Sequence, residues 1–586
     1  MDMVYVDGAG RDNSKRCLPG TREGLLSEIK DWVDNIGQDA PRVLWLSGTA
    51  GKGKSAVAHT IANWFLERGD PGVCFCFDRT REAEHRHEKI LCTMARDLAD
   101  RDPIIRRALA SAVRNDNELR HTKDITRQWK EFVLGPVGAA SQAVAAPVLM
   151  VIDALDESGE ARSRERILQM LAGNLDPDSS EPMKLPANIR ILVTSRPLDD
   201  ISVELDAAPH VSHISMNDLP AESTENDICL YISKKLSGPR NAFEEEHFKE
   251  LAQKADGLFE WARLACEYIK GTNKAGVDPM DRFEDVIAGT SGSQNLLDDM
   301  YHRILTEIIP EDTKAIARVR SVMAQVLASL EPLSMSALAA MRRHFPGVSN
   351  SYKVELVMVP LGSLFAGTSD SHIPIRPLHA SFYDFLTDES RSKKFFIDKS
   401  LAFGGLAFGS LWVMKEGLRF NICSLESSYL PNSAIPDLEQ RVKKFIPPEL
   451  SYSCRFWGTH VRTIDFDPSL AKEVKAFLHD ERLLLWLEAL SLLKGVGGSL
   501  VTRSYIADWV QVRGLTTFSR PTDSHCVLVA GSCRVYGYRR LCQGYSTLRA
   551  NLRTRHHAQH SAFVLVRSAV RSHAIQDIQN VFRQVS

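Results

Sequence analysis

Residues 44–65 read LWLSGTAGKGKSAVAHTIANWF, and their pattern indicates the fold of the first part of the chain. It contains the pattern G-x-x-x-x-G-K-[ST], from Gly48 to Ser55, between the apolar run VLWL and a segment with Val57 and Ile61 four positions apart. Glycines let successive backbone N–H groups converge on phosphate oxygens, and the positive end of a following helix dipole adds to the attraction. The stretch therefore predicts a strand, a phosphate-binding loop and a helix.

Two lysines in this loop could clamp a phosphate group. The spacing selects Lys54, because it directly precedes the hydroxyl residue Ser55, and Lys52 is then expected to point to solvent. Ser55 is expected to coordinate Mg²⁺. The candidate nucleotide-binding residues of the loop are Gly48, Thr49, Ala50, Gly51, Lys52, Gly53, Lys54 and Ser55. Binding alone leaves open whether a nucleotide is turned over or held as part of a switch.

The composition is that of an ordinary globular protein with several domains. The 586 residues are too many for one hydrophobic core and suggest about three to five domains. Because 72 Lys and Arg residues balance 74 Asp and Glu residues, no overall charge attracts nucleic acid or an anionic membrane. The eleven cysteines show no disulfide spacing, and residues 1–17 lack the apolar core of a signal peptide. These features predict a cytoplasmic protein.

Short apolar runs alternate with helical patterns between Arg42 and Pro197. The runs read VLWL, VCFCF, VLMVI and IRILVTS, and such alternation is typical of crossover units that build a parallel sheet. We therefore predict an α/β P-loop core. The 21 uncharged residues 132–152 are nominally long enough to span a bilayer, but they include two prolines and several small residues. We interpret them as a loop that leads into a buried strand, and we predict no membrane span.

Acidic residues follow the third apolar run. The sequence VLMVIDALDE, residues 148–157, places Asp153 at the end of a strand, where a phosphate-binding loop needs a carboxylate for Mg²⁺. Asp156 and Glu157 are then placed to polarise the attacking water, or to repel it until the site closes. The alternative is that these acids merely end a strand at the surface.

The fourth run, IRILVTSRP, ends in Thr194, Ser195 and Arg196. Ligands of open α/β sheets bind at the carboxyl edge of the strands, so these residues are expected near the nucleotide. Arg196 is placed to sense the γ-phosphate. The alternative is an ordinary surface arginine before a proline turn.

Two other groupings carry weaker signals. Cys74 and Cys76, followed by His85 and His87, are spaced like zinc ligands, but alternation along VCFCF puts the two cysteines on one strand face among core residues. No Ser/His/Asp or Cys/His spacing indicates a covalent hydrolase, although such a group can be assembled in space. We favour core roles for the cysteines.

The chain beyond residue 220 is mainly helical in pattern. The segment TENDICLYISKKL opens with Thr224 and Asp227 at the spacing of a capping box, which predicts a helix start there. From Arg503 to Ser586 there are twelve arginines but no lysine and no glutamate, unlike the preceding chain. This last part has no periodic element long enough to assign, and it could also reflect an alternative reading of the coding sequence.

Taken together, these motifs resemble the NACHT branch of the STAND signal-transduction ATPases. The resemblance is carried by the phosphate-binding loop, by Asp153-Ala-Leu-Asp-Glu157 and by the TSRP strand. It continues in GTREGLLSEIKDWV, ADGLFEWARLACEYI, LDDMYHRIL, EPLSMSAL and RPLHASFYDFL, and so covers about residues 15–495. It is strongest for fungal members associated with heterokaryon incompatibility and nonself recognition.

The resemblance implies a nucleotide switch. In such proteins a helical domain and a winged-helix domain fold over ADP, the ATP–Mg²⁺ form oligomerises, and hydrolysis is slow. A winged-helix histidine touches the β-phosphate in the closed state, and the matching residue is His379 in RPLHASFYDFL. Judged by the residues alone, His379 would more often cap a helix or lie in a core. GTRE resembles the adenine-side motif, which makes Thr21 and Arg22 candidates there.

The same resemblance divides the chain into six parts. The predicted parts are a lead-in with the adenine-side helix (1–40), the NACHT P-loop NTPase domain (41–200), a helical domain (201–295), a winged-helix domain (296–395), a further helical region (396–495) and an Arg-rich tail (496–586). About twenty residues precede GTRE, fewer than an effector domain needs, and no repeat array follows the helices. The modules that would identify the activating ligand and the protein partners are expected to be missing.

Two other functions remain open at this point. The chain could be a rapid-turnover P-loop ATPase, helicase-like or kinase-like, although no basic strip beside the sheet suggests a second substrate. It could also be a truncated, non-signalling regulator of full-length relatives. ATP and GTP are not distinguished by these motifs.

Overall fold

The computed structural model describes Val6 and most of the chain from Ala9 to Val510. Within that span it leaves out residues 36, 38, 82–86, 117, 120–121, 123, 144–146, 175–184, 238–242, 272–277, 289–294, 346–351, 427–429, 431 and 480. Most of the Arg-rich tail predicted at 496–586 therefore lies outside the described residues, although its first part forms a helix.

A five-stranded parallel sheet forms the first half of the structure. Its strands are β1 (Val43–Ser47), β2 (Gly72–Cys76), β3 (Val148–Asp153), β4 (Ile189–Ser195) and β5 (Val211–Ser215), in the order β2-β3-β4-β1-β5. All four pairings are parallel, and Ser47 lies in register with Ser195 and Ser215. The predicted α/β core is confirmed. The fifth strand was not predicted, because its residues VSHIS are half-buried at a sheet edge.

Helices cover both faces of this sheet. They are α1 (Glu23–Asp34), α2 (Lys54–Glu67), α3 (His87–Arg101), α4 (Pro103–Asn115), α5 (Ile125–Gln128), α6 (Gly135–Ala143), α7 (Ala161–Leu171) and α8 (Asp199–Asp206). A π-helical segment, Trp129–Leu134, joins α5 to α6. Reading residues 132–152 as a loop before a strand was thus wrong for the first twelve of them, which are helical up to Ala143. Among the described residues, no helix is both long and apolar enough to cross a bilayer.

The two faces of the sheet have separate hydrophobic cores. On one face, Leu44 and Leu46 of β1 pack with Val57, Ile61 and Phe65 of α2, as the four-residue spacing predicted. On the other face, β1 to β4 pack against α3 to α8 through a larger cluster of buried side chains. The strands are buried on both sides, which explains why their sequences are continuously apolar.

The second half is helical, apart from one short antiparallel pair of strands. Its elements are α9 (Ala221–Leu236), α10 (Glu245–Lys254), α11 (Phe259–Lys270), α12 (Pro279–Ala288), α13 (Leu296–Ile308), α14 (Thr313–Ala328), α15 (Met335–Arg342), α16 (Glu355–Met358), β6 (Phe365–Ala366), β7 (Arg376–Pro377), α17 (Ala380–Thr387), α18 (Glu389–Ser392), α19 (Ser400–Gly417), α20 (Leu438–Phe445), α21 (Pro448–Thr463), α22 (Pro468–His479), α23 (Arg482–Leu492) and α24 (Gly497–Asp508).

One hydrophobic cluster runs through this helical half, from Ile228 in α9 to Val510. Helix α9 begins at Ala221, so the helix start predicted at Thr224 is wrong by one turn. Helix α21 is tied to the segment before α15, because Arg455 forms an ion pair with Glu331 and the backbone N–H of Leu330 donates to the Tyr452 hydroxyl at 3.1 Å. The domain boundaries given above stay predictions.

Candidate nucleotide-binding site

The loop between β1 and α2 has the backbone that its glycines predict. Gly51 and Gly53 have φ values of +87° and +94°, in the left-handed region that favours glycine. A Cβ atom at Gly48 would lie 3.1 Å from Cβ of Met216, and one at Gly51 would lie 3.3 Å from Cβ of Glu260. The loop therefore needs glycine for its backbone conformation at Gly51 and Gly53, and for space at Gly48 and Gly51.

Lys54 lies at the start of α2, inside the loop. Its Nζ donates hydrogen bonds to the carbonyl oxygens of Gly48, at 2.7 Å, and Thr49, at 3.0 Å. Burial lowers the pKa of Lys54 to about 8, although the nearby carboxylates, above all Asp156, oppose this effect. The ammonium group is thus held among loop oxygens, where an anion would be its natural partner.

Lys52 points away from the loop centre but does not extend into solvent. Its Nζ lies 3.5 Å from the carbonyl oxygen of Asp256, which precedes α11 in the helical half. Its own carbonyl oxygen accepts a bond from Nη2 of Arg22 at 3.4 Å. The expectation that Lys52 points to solvent is therefore wrong, and the residue instead joins the loop to the helical half.

The acid that ends β3 is buried and held in place from the next strand. Asp153 is 3% exposed, and its Oδ1 accepts a hydrogen bond from the Thr194 hydroxyl at 2.6 Å. The other oxygen, Oδ2, lies 3.8 Å from Nε2 of His59 in α2. This arrangement places one fixed carboxylate at the carboxyl edge of the sheet, beside the loop that carries Lys54.

Asp156 and Glu157 follow in a short turn and have different environments. Asp156 accepts from the backbone N–H of Arg196 at 3.1 Å and pairs with its Nε at 3.1 Å. Burial raises the pKa of Glu157 from 4.5 to about 7, and the Asp156 carboxylate adds to the rise. Glu157 also accepts a hydrogen bond from the backbone N–H of Arg79 at 3.2 Å. A carboxyl group with a pKa near 7 is suited to exchange protons at physiological pH.

Arg196 is not an ordinary surface arginine. Besides Asp156, its guanidinium pairs with Asp384 of α17, where Nη1 lies 2.7 Å from Oδ2. Arg79, which follows β2, pairs with the other oxygen of the same carboxylate. No local motif singles out Arg79 or Asp384, and the two residues are 305 positions apart in the chain.

The GTRE segment joins the lead-in to the phosphate-binding loop and to α9. Arg22 is 6% exposed, and its Nη1 donates to the Thr224 hydroxyl at 2.9 Å. Its backbone N–H donates to Oδ2 of Asp227 at 3.1 Å, so the two residues expected to cap α9 contact Arg22 instead. The Thr21 hydroxyl donates to the carbonyl of Leu18 at 2.7 Å, within its own turn. Arg22 thus joins the lead-in to α9, while Thr21 stabilises the local turn.

His379 lies directly before α17 and caps it. Its Nδ1 accepts from the backbone N–H of Ser381 at 3.2 Å, which leaves the proton of the neutral ring on Nε2. Burial lowers the pKa of His379, against the pull of Glu260, while Arg263, Lys54 and Arg196 lower it further. The capping role expected from the residues alone is present, and the ring also lies within the electrostatic field of the loop.

Glu260 brings the helical half onto the phosphate-binding loop. Its backbone N–H donates to the carbonyl of Gly51 at 3.2 Å, and its carboxylate pairs with Arg263, with Oε1 2.7 Å from Nη2. Neither residue was predicted from the sequence, where FEWAR shows only an apolar helix face. The structure therefore gathers Lys54, Arg196 and His379 around one region, with contacts from both halves of the chain.

A Ser–His–Asp chain is assembled in space beside the loop. The carboxylate of Asp206 lies 3.0 Å from Nδ1 of His213, whose Nε2 lies 2.8 Å from the Ser47 hydroxyl. The His213 ring also stacks on Trp45, with ring centroids 4.0 Å apart. A nucleophilic serine must reach its substrate, but Ser47 is 2% exposed within the sheet. The chain of hydrogen bonds instead fastens the edge strand β5 to the residue before the loop.

The two strand cysteines lie on one face, with their Sγ atoms 3.6 Å apart. His59 completes a cluster with them, since its Nε2 lies 3.7 Å from Sγ of Cys76. The Nδ1 of His59 accepts a hydrogen bond from the backbone N–H of Asp12 at 3.0 Å, so the neutral ring carries its proton on Nε2 and cannot ligate a metal there. This tautomer of His59 favours a core role for the two cysteines over a metal site. His85 and the side chain of His87 lie outside the described residues.

The chain is similar in sequence to known proteins. The family described as Nephrocystin 3, N-terminal, matches residues 20–196, which include four of the five strands, β1 to β4. The vegetative incompatibility protein HET-E-1 of Podospora anserina is 24% identical over 528 residues, which cover 83% of this chain and 36% of that protein. The chain is thus HET-E-like over most of its own length. This HET-E-like chain thus spans about a third of the length of its curated relative.

Solved structures show weaker likenesses. The Walker-type ATPase PABY2304 of Pyrococcus abyssi gives a TM-score of 0.30 at 12% identity, covering 62% of this chain and 94% of its own. PCH-2 of C. elegans gives a TM-score of 0.25 at 13% identity, covering 45% of this chain and 67% of its own. The assignment of the HET-E-like chain to P-loop proteins rests on its own sheet order and loop.

Proposed function

We propose that this HET-E-like NTPase is a STAND-type nucleotide switch that is closed with ADP and oligomerises with ATP and Mg²⁺. The observation that carries the proposal is that the phosphate-binding loop and the arginine after β4 both contact the helical half, through Glu260 and Asp384. A ligand that changes these contacts has different affinities for the closed and open arrangements, and it therefore shifts their populations. Such coupling suits signal transduction, including fungal nonself recognition.

The residues present fit a Mg²⁺–nucleotide. The loop combines two glycines in the left-handed conformation with the N-terminus of the 14-residue helix α2, which is a suitable cradle for phosphate oxygens. Lys54 would contact the phosphates, while Ser55 and Asp153 would hold Mg²⁺, which would neutralise phosphate charge when bound. Thr21 and Arg22 would border the adenine, and His379 the β-phosphate, as the family resemblance implies.

Slow hydrolysis is part of the proposal. Glu157 in its ionised form would accept the proton of the attacking water, and a pKa of about 7 leaves about half of it protonated at neutral pH. Arg196 forms ion pairs with both Asp156 and Asp384. While the helical half is closed, the arginine is therefore bound to these carboxylates and not to a γ-phosphate. Turnover below about 1 per second, the lower end for kinases, is expected.

We also propose a cytoplasmic location. All eight cysteines in the described part of the chain are free thiols, and five of them are buried. Reduced thiols are typical of the cytosol.

The direct test measures the nucleotide retained by the purified chain. The protein is denatured, and the released nucleotide is identified and quantified by chromatography. We expect bound ADP in the wild type, its loss in Lys54→Ala, and its retention in Lys52→Ala, because Lys52 contacts Asp256. Normal nucleotide content in Lys54→Ala would refute the proposal. Steady-state ATP hydrolysis faster than about 1 per second would instead favour a rapid-turnover ATPase.

A further inference from the structure

Two arginines from different strand ends share one carboxylate of the helical half. Arg79 follows β2, Arg196 follows β4, and these strands flank β3 on either side. The two oxygens of Asp384 are divided between them, with Oδ1 on Nη1 of Arg79 and Oδ2 on Nη1 of Arg196. The side chain of Asp384 is 17% exposed. This is a bidentate anion site in which the anion comes from the protein itself.

A phosphate group held by Lys54 would lie near this shared carboxylate, because Arg196 acts on Lys54 and pairs with Asp384. Lys54 is within electrostatic range of Arg196, Asp153 and Asp156, so a phosphate bound by Lys54 would face the same arginine. Asp384 comes five residues after His379, on the helix that His379 caps. A γ-phosphate would compete with Asp384 for two guanidinium groups that this carboxylate already engages.

We infer that Asp384 determines whether the site prefers a nucleoside diphosphate or a nucleoside triphosphate. This inference rests on the proposed function. A diphosphate leaves the Asp384 carboxylate on Arg79 and Arg196, and α17 stays docked on the sheet. A triphosphate competes for the same arginines, and its charge repels the carboxylate. Docking of α17 and binding of a γ-phosphate therefore oppose each other, and by linkage each weakens the other by the same factor.

Arg79 has a defined part in this arrangement. Its guanidinium binds Asp384, while its backbone N–H binds Glu157. An arginine released from Asp384 is free to meet the γ-phosphate next to the proposed base. Arg79 is thus a second phosphate-sensing residue, beside Arg196.

The test compares the affinities of the full chain for ADP and for ATPγS, each with Mg²⁺, by titration of a fluorescent nucleotide. In Asp384→Asn the affinity for ATPγS relative to ADP should rise about tenfold or more, because a charge-assisted interaction that opposed the triphosphate is gone. Asp384→Ser, a second neutral variant, should show the same change if the asparagine variant folds poorly. Asp384→Glu, which keeps the charge, should stay within about twofold of the wild type.

Asp298→Asn is the matched control. Asp298 forms an ion pair with Arg391 at the same distance, 2.7 Å, but within the helical half. Asp298→Asn should leave the ratio of the affinities for ATPγS and ADP unchanged, while Asp384→Asn should shift this ratio. Equal ratios in the wild type and in both neutral variants of Asp384 would overturn this inference and leave the proposed function standing. A wild-type chain that binds neither nucleotide would overturn the proposed function, and the inference with it.

Discussion

Replacing Glu157 by glutamine tests the electrostatics of the site most sharply. The carboxyl group accepts a hydrogen bond from the backbone N–H of Arg79 at 3.2 Å, and it follows Asp156 in the turn after β3. Burial, with the Asp156 carboxylate second, raises its pKa from 4.5 to about 7. Glutamine keeps the shape and an acceptor oxygen but cannot ionise, so the variant isolates the effect of the charge.

The size and sign of the effect follow from the two pKa values. At 1.36 kcal/mol for each pKa unit, ionisation of Glu157 lowers the stability of the folded wild type by about 3 kcal/mol. The folded pKa is the higher one, so this loss is absent below about pH 4.5 and complete above about pH 7. At pH 8, Glu157→Gln should therefore melt about 6–12 °C above the wild type, as expected for a domain of roughly 150–250 residues.

The assay is thermal unfolding of both proteins between pH 5 and pH 8, followed by circular dichroism. The difference in melting temperature should shrink steadily towards pH 5. The rate of ATP hydrolysis by the wild type should rise about tenfold between pH 6 and pH 8, because only ionised Glu157 accepts a proton. Glu157→Gln should have lost ATP hydrolysis at every pH. Glu160→Gln, at an exposed position, is the control and should change neither property. A melting difference that does not vary with pH would show that the charge of Glu157 does not lower the stability of the folded protein.

Two further variants probe the supports of the site. Thr194→Val removes the 2.6 Å hydrogen bond to Asp153 and should raise the Mg²⁺ concentration needed for half-maximal nucleotide binding about tenfold. Ser195→Ala is the control and should leave this concentration unchanged, because the Ser195 hydroxyl accepts from Trp45 and does not contact Asp153. Equal Mg²⁺ requirements in both variants would contradict the role of Thr194. Arg22→Gln loses the charged contact with Asp227, so limited proteolysis should cleave the helical half about tenfold faster while the circular dichroism spectrum stays unchanged. An unchanged rate of cleavage would show that Arg22 does not hold the two halves together.

Much of the sheet and its edge could be predicted from local sequence. The loop motif, the buried strands and the acid after β3 are signals within about ten residues, and the structure brings Lys54, Asp153 and Arg196 to one edge. Strand β5 was missed because an edge strand with exposed His213 lacks a continuous apolar run. Helix α6 was missed because Gly135 and Pro136 suggested a loop, although proline is tolerated in the first turn of a helix.

The contacts between the two halves could not be predicted in this way. Arg79 and Asp384 carry no motif of their own, and their pairing depends on how α17 docks on the sheet. Lys52 was assigned to solvent because the loop motif says nothing of the helical half that covers it. Thr224 and Asp227 fitted a capping pattern, yet their side chains bind Arg22, some 200 residues earlier. Long-range ion pairs depend on tertiary packing, which local patterns do not encode.

The mass of the full chain in solution with each nucleotide shows whether the protein is a switch. Light scattering after size-exclusion chromatography would compare the protein with Mg²⁺–ADP and with Mg²⁺–ATPγS, using Lys54→Ala as the control that cannot hold either. A switch predicts a monomer with ADP, a larger assembly with ATPγS, and no nucleotide effect in the control. One and the same mass in both nucleotides for the wild type would contradict the proposed switch.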